Sequence, residues 1–129
     1  MPSLDREATG QGPLVQGFSG TGFRVSGELF PRGVFLTPEW ARPWDAPTIE
    51  ALDAGALEPL LALDPAPEFI MLGTGTTMRR PAASLVAEIE RRGIGFEAMD
   101  SRAAARAWGV LRAEERWIAA ALMPLVARA

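Results

Sequence analysis

The sequence predicts a single domain with a layered α/β fold, in which hairpin-like β-structure in the N-terminal half precedes alternating strands and helices. Three observations predict it. Short apolar segments separated by glycines fill the first half of the chain, which is typical of strands joined by hairpins. The second half alternates strand-like and helix-like apolar patterns, which favours a layered sheet with right-handed crossovers. Finally, 129 residues with a hydrophobic fraction of 48% are enough to build one core.

In the N-terminal half, apolar residues around Val15 and Phe23 and again at residues 34–36 predict strands, with glycines at the turns between them. Residues 38–47 then carry three prolines, and proline lacks the N–H that a sheet needs. We therefore predict a loop there, held in place by Trp40 and Trp44.

In the middle of the chain, Asp53 is a plausible N-cap for a short helix, which Pro59 would weaken. The predicted inner residues of this helix are Leu57, Leu60 and Leu61. Residues 69–72 form an uninterrupted apolar run, as expected for a strand buried on both faces. We expect this strand to be the central one.

In the second half, Pro81 suits the first position of a helix that Gly93 ends. Its predicted apolar stripe consists of Ala82, Leu85, Val86 and Ile89. A strand over residues 94–99 follows, and Asp100 or Ser101 can cap a third helix with Trp108 on its inner face. Residues 116–123 are predicted to form the last strand.

We divide the chain into a flexible N-terminal segment, residues 1–12, and a single domain, residues 13–129. No apolar run reaches the length of roughly 20 residues that a membrane helix needs, so we predict no transmembrane segment. Residues 1–11 do not follow the pattern of a basic segment and then an apolar one, so we expect a cytoplasmic protein.

The composition excludes several kinds of chemistry. The chain has no histidine or cysteine, and all of its 13 basic residues are arginine. Imidazole, thiolate and transition-metal chemistry are therefore closed to it, and we predict no catalytic residue of these kinds, no metal and no cofactor. The net charge of −3 and the scattered arginines argue against nucleic acid as a partner.

The best candidate for a ligand site is the loop at residues 73–80, which follows the buried strand and leads to a helix. Backbone amides at a helix N-terminus and two guanidinium groups would suit a small anion. The predicted anion-site residues are Gly73, Thr74, Gly75, Thr76, Thr77, Arg79 and Arg80. The loop matches neither the Walker A nor the dinucleotide pattern, and the alternative interpretation is a tight structural turn.

Two further groups of candidates are weaker. Glu97 and Asp100, near the end of one strand, are the carboxylates we would examine for acid or base catalysis, and the alternative for Asp100 is a helix cap. Trp40 and Trp44 form a candidate partner surface, with packing over the edge of the core as the alternative.

Several short segments match a known pattern in order and spacing. They are Gly17-Phe18, Gly22-Phe23-Arg24-Val25, Leu72-Gly73-Thr74-Gly75 with Pro81, the run from Arg92-Gly93 to Ala98-Met99, Ala103-Ala104, Leu111, Glu114, Arg116 and the alanines before Leu122. With them the chain resembles a widespread family of small α/β proteins of unassigned activity whose mitochondrial member is complex I assembly factor three. The chain departs from the family at residues 107–109, where many members look like Thr-Tyr-Asn.

The resemblance implies a three-layer α/β fold, in which a mixed central sheet is flanked by helices and by extra β-structure from the N-terminal half. It also implies a role in assembling respiratory or membrane complexes, although fold alone does not define function. Our leading hypothesis is a non-enzymatic protein that binds another protein during such assembly. The alternative is a small-anion binding protein or a carboxylate-dependent enzyme that uses residues 73–80.

Overall fold

The computed structural model describes residues 12–125, and the predicted flexible segment lies outside this range except for its last residue. The described chain contains eight strands, one 3₁₀ turn and three α-helices. The strands are β1 (Val15–Ser19), β2 (Gly22–Val25), β3 (Glu28–Phe30), β4 (Val34–Leu36), β5 (Ala41–Pro43), β6 (Phe69–Gly73), β7 (Gly95–Met99) and β8 (Ala119–Leu122). The 3₁₀ turn is Ala54–Leu57, and the helices are α1 (Glu58–Leu61), α2 (Ala83–Arg91) and α3 (Ser101–Ala113).

The strands form two sheets. A five-stranded sheet has the order β5-β4-β8-β6-β7, and a three-stranded sheet has the order β1-β2-β3. Strand β6 is parallel to both β7 and β8, whereas β4 is antiparallel to β5 and β8. The small sheet is antiparallel throughout. The predicted mixed sheet with extra N-terminal β-structure is thereby confirmed.

The large sheet is buried on both faces, which produces three layers. Ile70 and Leu72 of β6 contact the core beneath α1 and α2, and Met71 between them contacts the core on the other face. Trp108 of α3 and Phe23 of the small sheet complete that second core. Because successive strand side chains point to opposite faces, both faces of an apolar strand need a covering layer.

Both predicted helix caps are confirmed. The Asp53 side chain accepts a hydrogen bond from the N–H of Ala56 at 3.0 Å. The Asp100 side chain accepts one from the N–H of Ala103 at 2.9 Å, at the start of α3. The bond from Asp100 satisfies an N–H of the first helical turn, whereas the N–H of Ala56 is shared between the side chain and the C=O of Asp53.

The prediction that residues 69–72 form the central strand is wrong. Strand β6 is an interior strand, but the middle position belongs to β8. The first three residues of β8 are alanines, whose propensity favours helices over strands. Pairing with β4 on one side and β6 on the other overrides that preference, and every residue of β8 is buried.

The predicted loop over residues 38–47 also needs correction, because Ala41–Pro43 forms the edge strand β5. Helix α2 and the last strand both begin later in the chain than predicted. Helix α2 begins at Ala83, since the preceding Ala82 has an extended ψ of 138°. Regular pairing of β8 begins at Ala119, although the C=O of Trp117 still accepts the N–H of Glu68 at 2.8 Å.

Candidate functional site

The loop at residues 73–80 leaves the sheet where the C-terminal ends of β6, β7 and β8 meet. In open α/β sheets this end of the strands is the usual place for a ligand. Residues 73–75 are buried, and residues 76–80 are exposed. The predicted site residues therefore divide into a buried base and an exposed tip.

The buried base is held by Ser101, the first residue of α3. Its Oγ accepts the N–H of Gly75 at 2.8 Å and donates to the C=O of Met123 at 2.7 Å. Its own N–H donates to the C=O of Gly75 at 2.8 Å. The hydroxyl is fully buried and already engaged as donor and acceptor, so it is poorly suited to act as a nucleophile.

Thr74 ties the tip of the loop to its base. Its N–H donates to the C=O of Met99 at 2.8 Å, and its Oγ1 lies 2.7 Å from the C=O of Thr77. The same Oγ1 accepts the N–H of Arg79 at 3.0 Å. Three loop amides, those of Thr74, Gly75 and Arg79, thus have partners within the protein. The anion site remains a prediction, and these bonds favour the structural-turn alternative.

Close packing explains the glycines of this loop. A Cβ on Gly73 would lie 2.8 Å from Ser101 Oγ and 2.9 Å from both Ser101 Cα and Leu122 Cδ2. Gly75 has a φ of +96°, a conformation that side chains disfavour, and a Cβ there would lie 3.2 Å from the C=O of Pro124. Gly73 is therefore required by the close approach of β8 and α3, and Gly75 by its positive φ.

The two arginines of the loop have different surroundings, because Arg79 pairs with Glu50 whereas Arg80 lines a separate cleft. Arg79 forms an ion pair and hydrogen bond with Glu50, and both side chains are more than half exposed. The backbone amide of Glu50 and, second, the Arg79 guanidinium lower the pKa of the Glu50 carboxyl below its usual value. Together they line a cleft of about 280 Å³ whose apolar lining includes Ile49 and Met123.

A larger cleft lies between α2 and the edge strand β7, with a volume of about 530 Å³. We call it the β7 groove, and it is lined by Met78, Arg80, Pro81, Ala83, Val86, Ala87, Glu90, Phe96, Glu97 and Ala98. Glu97 is exposed on its rim, while Asp100 caps α3. The two predicted acid–base candidates therefore occupy different environments.

The two tryptophans of the predicted partner surface also differ. Trp44 is 6% exposed, and its ring stacks on Phe35 at a centroid distance of 4.9 Å. It contributes to the core and offers no ring to a partner. Trp40 is half-buried, with the Arg42 guanidinium 3.9 Å from the centre of its ring. Only Trp40 therefore keeps the surface exposure that its predicted role requires.

Trp108, which lies where the chain departs from the family pattern, is a packed core residue. Trp108 is fully buried among the residues of the second core. Its Nε1 donates to the C=O of Pro13 at 2.8 Å, which attaches the chain before β1 to α3. An indole thus fills this place and has its one donor satisfied.

Within residues 12–125, no helix is both long and apolar enough to cross a membrane. The same described range contains no group of three or more acidic side chains placed to hold a metal ion.

Comparison with known proteins identifies the family to which the chain belongs. The family model described as "Protein of unknown function (DUF498/DUF598)" matches residues 15–123, and the chain belongs to this family. A crystal structure of a protein from Bordetella parapertussis has the same fold, with a TM-score of 0.79 and 28% identity. That match covers 87% of this chain and 95% of the Bordetella chain.

Some relatives of the chain have names that state a role. The chain is 27% identical over 122 residues to NADH dehydrogenase (ubiquinone) 1 alpha subcomplex assembly factor 3 of Danio rerio, covering 95% of this chain and 70% of that protein. The human protein of the same name is 26% identical over 121 residues, covering 94% of this chain. The chain spans 65% of the human protein's length.

Sequence reasoning did not single out the β7 groove. Met78 and Phe96 lie far apart along the chain, and Val86 was expected to belong to the core face of α2. The methionine in the polar loop before Pro81 is the signal that the sequence offers for an apolar surface here. Nothing in the sequence identifies β7 as an edge strand, because strand order depends on how the whole chain folds.

Proposed function

We propose that this protein acts in the assembly of a membrane or respiratory complex by binding another protein, without catalysing a reaction itself. The observation that carries the proposal is its similarity, over 95% of the chain, to a protein named as an assembly factor of NADH dehydrogenase. We further propose a cytoplasmic location, which cell fractionation tests directly.

Two buried hydroxyls at the base of the loop support a non-enzymatic role. The hydroxyls of Ser101 and Thr74, which lie at the end of the strands where a reaction centre is expected, are both used in internal hydrogen bonds. A weak hydroxyl nucleophile needs an adjacent base, and with no histidine in the sequence that base would have to be a carboxylate. Among residues 12–125, neither hydroxyl has a hydrogen bond to a carboxylate.

Deletion of the gene in the native host tests the proposal. We expect the amount of assembled NADH dehydrogenase on native gels to fall, partial assemblies to accumulate, and expression of the wild-type chain to restore the complex. Other membrane complexes, resolved on the same gels, show whether the effect is specific. Normal assembly of every respiratory complex in the deletion strain would contradict the proposal.

A further inference from the structure

Within residues 12–125, strand β7 is an edge of the large sheet and pairs with β6 alone. The N–H of Gly95 donates to the C=O of Glu68 at 2.9 Å, and the C=O of Met99 accepts the N–H of Thr74 at 2.8 Å. In a parallel ladder alternate residues pair with the same neighbour, so Gly95, Glu97 and Met99 direct their backbone groups towards β6. The N–H and C=O groups of Phe96 and Ala98 consequently point away from the sheet.

The opposite edge of the sheet, strand β5, offers fewer free backbone groups for pairing with an added strand. Strand β5 has three residues and ends in Pro43, which has no N–H to donate. Strand β7 has five residues and no proline. An added strand would therefore pair with β7.

The side chains beside this edge are suited to an extended segment. Phe96 and Ala98 lie opposite Ile70 and Leu72 and therefore face α2 across the β7 groove. Half-buried Val86 and Met78, which is 46% exposed, continue the apolar lining. Two apolar side chains at alternate positions of an incoming strand would enter this groove, because such positions share one face.

The charge at the edge determines what should lie between those two positions. Glu97 projects from the face opposite to that of Phe96. Within the described range, neither Glu97 nor the nearby Glu90 of α2 forms an ion pair, whereas Glu88 of the same helix pairs with Arg91 and Arg92. An opposite charge directly across from Glu97 would be favourable.

We propose that β7 binds an extended segment of a partner protein as an additional strand, with an apolar–basic–apolar pattern. The apolar side chains lie opposite Phe96 and Ala98 in the β7 groove, and the basic one lies opposite Glu97. This inference rests on the proposed function as a protein-binding assembly factor and specifies its binding surface. Main-chain hydrogen bonds supply affinity in such complexes, and alternate side chains supply specificity.

A second copy of this chain fits the edge less well. Antiparallel pairing about a two-fold axis that used all outward groups of Phe96 and Ala98 would place Glu97 directly opposite its own counterpart. Like charges in that position are destabilising. Charge complementarity therefore favours a basic segment of another protein.

The test is an NMR titration of the ¹⁵N-labelled chain with the capped peptide Ser-Thr-Val-Arg-Val-Thr-Ser, against the same peptide with Glu in place of Arg. We expect the Arg peptide to shift the amide signals of Phe96 and Ala98 and to bind about fivefold more tightly than the Glu peptide. No shifts along β7 at millimolar peptide, or equal binding of both peptides, would overturn the inference. So would shifts there that depend on protein concentration alone, since they indicate self-association.

Three variants sharpen the test. Glu97→Arg should invert the preference between the two peptides. Ala98→Pro removes an outward N–H without removing a bond to β6, so it should abolish binding while the rest of the spectrum stays native. Val110→Glu, at an exposed position of α3 away from the groove, is the control and should bind like the wild type. Unchanged peptide binding by Ala98→Pro would contradict strand addition.

The same variants separate this inference from the proposed function when they are introduced into the deletion strain. If the wild type restores assembly and the Glu97→Arg and Ala98→Pro variants restore it equally well, strand addition at β7 is wrong and the assembly role stands. If deletion leaves assembly normal while the Arg peptide binds β7 as expected, the assembly role is wrong and the binding surface stands.

Discussion

Replacing Ser101 by alanine removes a hydroxyl that connects three separate parts of the chain. The Ser101 Oγ bonds to Gly75, 26 residues earlier, and to Met123, 22 residues later. In the Ser101→Ala variant the N–H of Gly75 and the C=O of Met123 both lose this partner in a fully buried environment. Residues 12–125 contain no buried side-chain polar atom without a hydrogen bond, and in the native chain the Ser101 hydroxyl also supplies a partner for these two backbone groups.

The size of the effect follows from those two backbone groups. Leaving a buried donor or acceptor without a partner costs about 1–3 kcal/mol. Some relaxation around the smaller side chain will recover part of the loss, so we expect the free energy of unfolding to fall by about 2–4 kcal/mol. A domain of this size has a free energy of unfolding of about 5–15 kcal/mol, and the variant should therefore remain folded at 25 °C.

Urea unfolding followed by tryptophan fluorescence measures this change, and the dependence on urea should keep its slope. Ser84→Ala is the matched control, because Ser84 lies in the first turn of α2 with its side chain exposed. We expect that control to change stability by less than about 0.5 kcal/mol. Amide exchange of Gly75 should also accelerate in Ser101→Ala. A loss below about 0.5 kcal/mol, with unchanged exchange at Gly75, would refute the reasoning.

Three other predictions concern packing and charge. Gly73→Ala places a methyl group against Ser101, and we expect a loss of about 1–3 kcal/mol in urea unfolding; unchanged stability would mean that β6 and α3 can separate freely. Trp108→Ala removes a fully buried indole and should cost about 3–5 kcal/mol, measured by far-ultraviolet circular dichroism. Arg79→Ala should raise the pKa of Glu50, but only partly, since the backbone amide of Glu50 has the larger effect. Because the native pKa is lowered, the contribution of Glu50 to stability is present above its unfolded-state pKa and lost as the pH falls through the folded pKa. An NMR titration in which that pKa is equal in both proteins would contradict an effect of Arg79.

Local chemistry made several elements predictable. Asp53 and Asp100 cap helical segments as expected, since capping depends on a side chain and an amide only a few residues apart. The short apolar segments between glycines in the N-terminal half and the continuous run at residues 69–72 likewise indicated strands. The layered α/β class followed from the order of these elements, and the three layers from the resemblance to the family.

The candidate site was less predictable. The loop at residues 73–80 was recognisable, but the use of its amides by Ser101 and Met99 was not, because those partners come from α3 and β7. Trp44 was a candidate for a partner surface or for packing over the edge of the core, and its stacking on Phe35 decides for packing. A hydrogen bond or ring contact between distant residues leaves no periodic signal in the sequence.

By itself, then, the sequence determined most of the segments that become helix or strand, where helices are capped, and which kinds of chemistry the absence of histidine and cysteine excludes. Only the tertiary structure decided that the alanine strand β8 takes the middle of the sheet and that β7 is left at its edge. Propensity and capping act over a few residues, whereas strand order depends on burying both faces of every apolar strand at once. The exposed edge that we propose as the binding surface is a consequence of that order.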